Sequence, residues 1–334
     1  MKKFFSSHEK AILLFFPSVA IVIGCLVLLG QLLQIFSAPR DLEYSVIPYI
    51  DQTVEVVDAE EIPDEVKADH ALAPEEAVPV IVDEPFEPAT YYGWQESADG
   101  KRTYLDRNGT LLHGLKYIDN KLYYFDQNGI CAQRIGVDVS FYNGTVNWRE
   151  LKNAGIDFAL LRIGGRGWGQ GGTLYDDSLF FNYLIGAKAA GLNVGVYFYS
   201  AATNTLEAVQ EASLAVQRLR GFALEMPVFF DTELSGNYPN GRADTLSMAR
   251  RMEIVRAFCK TVESAGYQAG IYSSESFLSD ELNFDAISQY SIWMASYTEN
   301  NALPSSRNRY DIWQLTDRGR LPGISGTCDI NVMF

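Results

Sequence analysis

The apolar positions of this chain change their pattern at definite points. Residues 11–36 form one uncharged apolar run, whereas residues 37–90 lose all periodicity. Residues 91–133 set aromatics into short alternating stretches, and from residue 134 onward short apolar runs alternate with stretches of helical period. In that last regime strands are predicted at 135–140, 158–163, 194–199, 227–231, 268–272, 291–295, 311–315 and 328–333. Amphipathic helices fit between the earlier strands, at 177–190, 205–219 and 243–264, and the later connections are short and rich in turn residues. Eight strands with this spacing predict an α/β fold, an incomplete (β/α) barrel with a helix-poor second half. Reactive groups of such a barrel belong at the C-terminal ends of its strands.

The run from Ala11 to Phe36 holds 26 residues without a charge, against the roughly 20 that span a bilayer. Lys2, Lys3 and Lys10 precede it and acidic residues follow, so it reads as a transmembrane signal anchor with residues 1–10 in the cytoplasm and the rest of the chain outside the cell. A cleaved signal peptide ending near Phe36-Ser37-Ala38 would have a shorter apolar stretch. Residues 37–90 alternate acidic residues with Ala, Val and five prolines from Pro63 to Pro88, a composition that extends by self-repulsion and reads as a tether.

Two units between Tyr91 and Gln133 resemble each other: Gly93-Trp94 with Tyr104 to Gly109, then Leu115 to Tyr117 with Tyr123 to Gly129. Each reads as an aromatic β-hairpin ending in an Asn-Gly turn. The pair is similar to the glucan-binding or choline-binding type of cell-wall repeat. Because such repeats need about three neighbours to bury their faces, two units read first as a packing adaptor and second as a ligand site.

Composition narrows the chemistry of the barrel. The net charge of -15, with no long Lys/Arg cluster, excludes a phosphate-binding face and hence a nucleic-acid partner. Four scattered cysteines form neither a disulfide scaffold nor a zinc ribbon, and a Cys131 to Cys328 bridge is left open by spacing alone. Gly167-x-Gly169-x-x-Gly172 matches a dinucleotide fingerprint in form. No helix starts promptly after it, however, and Asp176 and Asp177 come too soon for the ribose contact, so it reads as a mobile loop over the barrel mouth. His8, His70 and His113 all precede residue 134. A barrel without histidine has no Ser-His-Asp triad, no Cys-His pair and no His-based zinc site, which leaves carboxylate chemistry with no cofactor and no metal expected.

Asp138, Asp231, Glu233 and Asp329 fall at or near predicted strand ends. In the run Pro227 to Glu233 an apolar strand finishes on two carboxylates two residues apart, which puts both on one face with about 6 to 7 Å between their backbones. Like charges this close raise one pKa, and the group that keeps its proton can act as a general acid. Trp148, Trp168, Trp293 and Trp313, with Tyr197, Tyr199 and Tyr297, also lie near strand ends, where a sugar cleft would use their faces, although Trp313 reads as core.

From Ile135 to Phe334 these residues resemble the family-25 glycoside hydrolases, lysozymes that cut peptidoglycan. The likeness is carried in order by Gly136 to Ser140, Asn143-Gly144, Asn147-Trp148, Arg162, Asp176-Asp177, Phe181-Asn182, Gly191 to Tyr197, Phe230 to Glu233, Trp293 to Tyr297, Trp313 to Leu315, Pro322 to Ile324 and Cys328 to Asn331. The resemblance implies an incomplete (β/α) barrel acting on the β-1,4 link from N-acetylmuramic acid to N-acetylglucosamine. It implies Glu233 as proton donor, Asp231 as nucleophile or stabiliser, and Asp138 and Asp329 completing an acidic cleft. Tyr197, Tyr199, Arg162, Trp293 and Tyr297 are the expected substrate contacts. Where the family often has Tyr-His-Phe, this chain has Tyr197-Phe198-Tyr199. Spacing leaves open a retaining, an inverting or a substrate-assisted course, the last favoured by the 2-acetamido group of the implied sugar. A wall-binding protein without catalysis, and a related hexosaminidase or chitin-type hydrolase, are the alternative readings. The tether's reach points to local wall remodelling, or to passage of a larger envelope-assembly or transfer apparatus as partner.

Overall fold

A computed structural model of the chain describes residues 92–132, 134–236 and 241–334. The expected membrane segment 11–36 and tether 37–90 lie outside these residues. Among the described residues no helix is long and apolar enough to cross a membrane.

The chain first forms two antiparallel hairpins, β1 (Gly93–Glu96) with β2 (Arg102–Leu105), and β3 (Gly114–Ile118) with β4 (Lys121–Phe125). Both are followed by the same turn. The Asp106 carboxylate accepts from the N–H groups of Asn108 and Thr110, as Asp126 does from Asn128 and Ile130, and a left-handed glycine, Gly109 or Gly129, completes each turn.

Eight strands then close into a barrel: β5 (Arg134–Val139), β6 (Phe158–Arg166), β8 (Asn193–Ser200), β9 (Val228–Thr232), β10 (Ala269–Ser274), β11 (Ser291–Ala295), β12 (Ile312–Gly319) and β13 (Cys328–Met333). Pairing of β5 with both β6 and β13 closes the sheet, and the short β7 (Leu174–Asp176) extends β6 as a hairpin. All eight expected strands are present, with ends shifted by a few residues.

One strand departs from a parallel barrel. β13 runs antiparallel to both β12 and β5. Only residues 320–327 separate β12 from β13, too few for the crossover of a dozen or more residues that a parallel partner needs. The reversal decides where the acids lie. Asp329, near the start of β13, pairs in register with Asp138 near the end of β5 and so reaches the same rim of the barrel.

The helices α1 (Trp148–Asn153), α2 (Phe180–Ala189), α3 (Thr205–Arg218), α4 (Met248–Ser264) and α5 (Glu275–Asp280) cover the outside. Local chemistry sets their starts. Asn204 caps α3 by accepting from Glu207 N at 3.0 Å, and Ser247 caps α4 through Arg250 N at 3.3 Å, each cap contributing about 1 kcal/mol. α2 begins at Phe180, three residues later than its sequence pattern predicts, because Asp177 uses its carboxylate on Leu179 N, Phe141 N and Arg162. α4 likewise starts later than expected, since Asp244 is bound to Ser235.

Alternation along the strands fills the barrel with Phe158, Leu160, Tyr197, Phe229, Tyr272 and Trp293. Gly136 and Gly270 make room for that plug, because a Cβ at either would come within 2.4 Å of the Phe158 or Phe229 ring. The interior is therefore packed, and the polar groups stand on its upper surface. Cys131, Cys259 and Cys328 are free thiols, so no Cys131 to Cys328 bridge forms.

Candidate active site

β9 ends on Asp231 and Thr232 with Glu233 one residue beyond, and its apolar start, Val228 to Phe230, is buried. Asp231 is 2% exposed and Glu233 is half-buried beside it. The two carboxyl side chains hydrogen-bond to each other. Burial raises both above the ordinary carboxylate range. Repulsion from Glu233 and Asp138 raises Asp231 further, against a partly opposing pull from Arg162, so the pair holds a shared proton to higher pH than exposed carboxyls do. Asp231 Oδ1 is buried and has no protein partner.

The second pair is built differently. Asp138 Oδ2 accepts from Asn331 Nδ2 at 2.7 Å and from Gln314 Nε2 at 2.9 Å, and Asp138 also shares a hydrogen bond with Asp329. Burial raises Asp138 while these donors oppose the rise. Asp329 lies well above its usual range through burial, the charge of Asp138 and the hydrogen bond in which Asp329 donates to Asp138.

Both amides that serve Asp138 are themselves oriented. Gln314 Oε1 accepts from the hydroxyls of Tyr272 and Tyr297, each at 2.8 Å, which turns its NH2 toward Asp138. Asn331 Oδ1 accepts from the Trp293 indole N–H at 2.8 Å, with the same result. Sequence reasoning missed Gln314, Asn331 and Tyr272 as site residues. Gln314 follows Trp313, and Asn331 lies two residues beyond Asp329 on the same strand face, which is the signal that could have found them.

The five expected substrate contacts are distributed unevenly. Tyr199 sits in register with Asp231, half-buried, and its ring packs against Trp168 at 5.4 Å between centroids. Tyr297 is 56% exposed and presents its ring at the rim. Arg162 is buried, held by Asp177 at 2.9 Å and by the rings of Phe141 and Tyr142, with Nη2 lacking a protein partner. Tyr197 and Trp293 belong to the plug. Trp293 is 1% exposed and edge-packed on Tyr197 and Phe229, so its face is not open to a sugar and it acts through Asn331. Trp313 is core as expected, its N–H donating to Ser296 O.

The Gly167 to Gly172 segment turns between β6 and β7 and leads into a strand, which no dinucleotide fingerprint does. Arg166 Nη1 fixes it by donating to Gly172 O at 2.7 Å. Among the described residues no group of three or more His, Cys, Asp or Glu side chains is arranged to hold a metal ion. A cavity of about 810 Å³ lies between the hairpins and the barrel floor, lined by Lys121, Tyr123, Ile135 and Asp157 among others, away from the carboxyl groups. A smaller one, about 230 Å³, adjoins Glu233 with Leu234, Ser274, Ser276 and Phe277. Chemistry favours the smaller of these two, because it meets Glu233, whose carboxyl burial holds above the ordinary range, whereas the larger meets none of the four acids.

A family model described as "Glycosyl hydrolases family 25" matches residues 137–324. An autolytic lysozyme of Clostridium acetobutylicum is 25% identical over 196 residues, covering 59% of this chain and 54% of that protein. Lysozyme M1 of Streptomyces globisporus is 26% identical over 209 residues, 59% of this chain and 66% of its own length. The chain thus spans less than two thirds of either relative. Among solved structures, the modular autolysin LytC from Streptococcus pneumoniae in complex with a synthetic peptidoglycan ligand is similar with a TM-score of 0.57 at 23% identity, covering 71% of this chain and 57% of that one. A family 25 glycosyl hydrolase from Bacillus anthracis gives a TM-score of 0.52 at 22% identity, over 68% of this chain and 95% of that one. At these identities the likeness to the structures is one of fold. The family model spans more than half of the sequence, and the chain belongs to the glycosyl hydrolases of family 25.

Proposed function

We propose that this chain is a membrane-anchored extracellular muramidase that hydrolyses the β-1,4 bond between N-acetylmuramic acid and N-acetylglucosamine in peptidoglycan. The observation that carries the reading is buried Asp231 paired with half-buried Glu233 at the C-terminal end of a barrel strand. Its relatives named as lysozymes support the substrate class.

Glu233 gives its proton to the glycosidic oxygen as the bond from that oxygen to C1 breaks. The carbonyl oxygen of the substrate's 2-acetamido group closes on C1, and the Asp231 carboxylate accepts the acetamido N–H. That new hydrogen bond favours charged Asp231, so the shared proton settles on Glu233, where it is needed. Water then attacks C1, its proton passes to Glu233, and the acetamido group is released. Asp138 and Asp329 form the opposite wall, and Tyr199 and Tyr297 supply ring faces.

Residues 11–36 serve as the anchor and residues 37–90 as a tether, whose length and charge suit a reach of roughly 100 Å. Such reach suits local remodelling or wall passage of a larger envelope apparatus. The two hairpins are a short form of a cell-wall repeat, serving as an adaptor.

The test is release of reducing ends from purified peptidoglycan by the full chain and by Glu233→Gln. Loss of about 10²- to 10⁴-fold in kcat with an unchanged circular-dichroism spectrum is expected. Retained activity in the variant sinks the assignment, and products from chitin but not peptidoglycan sink the substrate.

A further inference from the structure

The hairpin β3–β4 is joined to the barrel at the loop between β11 and β12, and that loop carries Tyr297. Tyr124 is fully buried, packs its ring edge-on against Trp313 at 5.5 Å, and donates its hydroxyl to Asn301 O at 2.9 Å. Gln127 Nε2 donates to Leu303 O at 3.3 Å, and Gly114 lies so close to Asn300 O that a Cβ would come within 3.2 Å of it. The loop needs holding. Asn300 and Asn301 are both left-handed, with φ of 56° and 53°, a conformation that costs a non-glycine residue energy unless its surroundings impose it.

Trp313 and Gln314 are neighbours on β12 and point to opposite faces of the strand. Outside, Trp313 meets Tyr124 and its indole N–H holds Ser296 O at 2.7 Å. Inside, Gln314 joins the Tyr297 hydroxyl to the Asp138 carboxylate. Tyr124 therefore touches both routes to Gln314, the strand through Trp313 and the loop through Asn301. The aromatic faces of the first hairpin are also occupied from within, since the Arg102 guanidinium lies 3.9 Å over the Trp94 ring and Tyr123 packs edge-on to the same ring.

We propose that the second hairpin is an internal brace of the catalytic centre, with Tyr124 a positioning residue that holds the Tyr297 loop and thereby the Gln314 amide on Asp138. The functional unit then begins at Gly114, ahead of the first barrel strand. This rests on the muramidase reading for its kinetic arm only.

The experiment compares Tyr124→Phe, Tyr297→Phe and the double variant in the full chain. Tyr124→Phe keeps the ring and removes one hydroxyl. It is expected to raise amide exchange in residues 296–303, and to lower kcat on peptidoglycan by about 2- to 30-fold with KM unchanged, the range seen for residues that act without touching ligand. The double variant is expected to lose no more than Tyr297→Phe alone, because both act through Gln314. Gln127→Ala, at an exposed site, should raise exchange in the same peptide to a smaller extent. Wild-type exchange in 296–303 for Tyr124→Phe, or additive losses in the double variant, overturns the brace. A wild-type chain that releases no reducing ends fails the muramidase reading instead, and the exchange arm still decides the brace.

Discussion

Two carboxyl pairs face each other across the barrel mouth, and they differ in how far the protein satisfies them. Asp138 has two amide donors, each oriented by an aromatic side chain, and a third from Asp329. Asp231 has Glu233 beside it, and its buried Oδ1 receives no amide, hydroxyl or indole donor. A buried polar atom without a partner costs roughly 1 to 3 kcal/mol, so a fold tolerates it where binding supplies the missing partner. The furnished pair reads as the fixed wall, and the unfurnished pair as the place where substrate groups enter.

The contrast breaks most directly by neutralising one acid of each pair. On the proposed mechanism Asp231→Asn leaves the acetamido N–H without a carboxylate, and it is expected to cut kcat on peptidoglycan by at least about 10²-fold, as loss of a charge stabiliser does. Asp329→Asn should cost far less, because burial and the Asp138 charge hold the Asp329 carboxyl well above its usual range and an amide can replace it as donor to Asp138. Equal losses in a reducing-end assay would erase the distinction.

A smaller effect follows for Asp138→Asn. The Asp138 charge raises Glu233, so its removal lowers the pKa of the acid and lets Glu233 lose its proton at lower pH. The alkaline limb of the kcat/KM profile should move to lower pH, and an unmoved limb would mean that Asp138 and Glu233 are not coupled.

The same contrast marks how much was legible in the sequence. Asp231 and Glu233 were found because a two-residue step at a strand end is a local pattern that the pleat converts into one face. Asp329 was expected beside the other acids, and the direction of β13 is what sets it in register with Asp138. The strand at 311–315 actually continues to Gly319, and this extension shortens the following link enough to force the reversal. Gln314 and Asn331 stayed hidden as site residues because their importance is relational: an amide acquires a role only when Tyr297, Tyr272 or Trp293 fixes which end it presents. Trp293 misled for the opposite reason, since an aromatic near a strand end can as well fill the barrel as line its mouth. The late starts of α2 and α4 have one cause. Asp177 and Asp244 are spent on tertiary contacts, which periodicity does not register.

The smallest expected effect is on stability. For Asp231 the folded pKa lies above the unfolded one, so between the two values the folded state binds more protons. Stability is then full below the unfolded carboxyl pKa and falls as pH rises toward the folded value. At neutral pH the native enzyme carries this penalty, whereas Asp231→Asn has no proton to lose. The variant should therefore melt higher than the wild type at pH 7, by roughly 2 to 4 °C for each kcal/mol relieved, and the advantage should shrink toward pH 4. A variant that melts lower at pH 7, or whose advantage is independent of pH, would mean that Asp231 is held as a structural charge, and the difference between the two pairs would lose its physical basis.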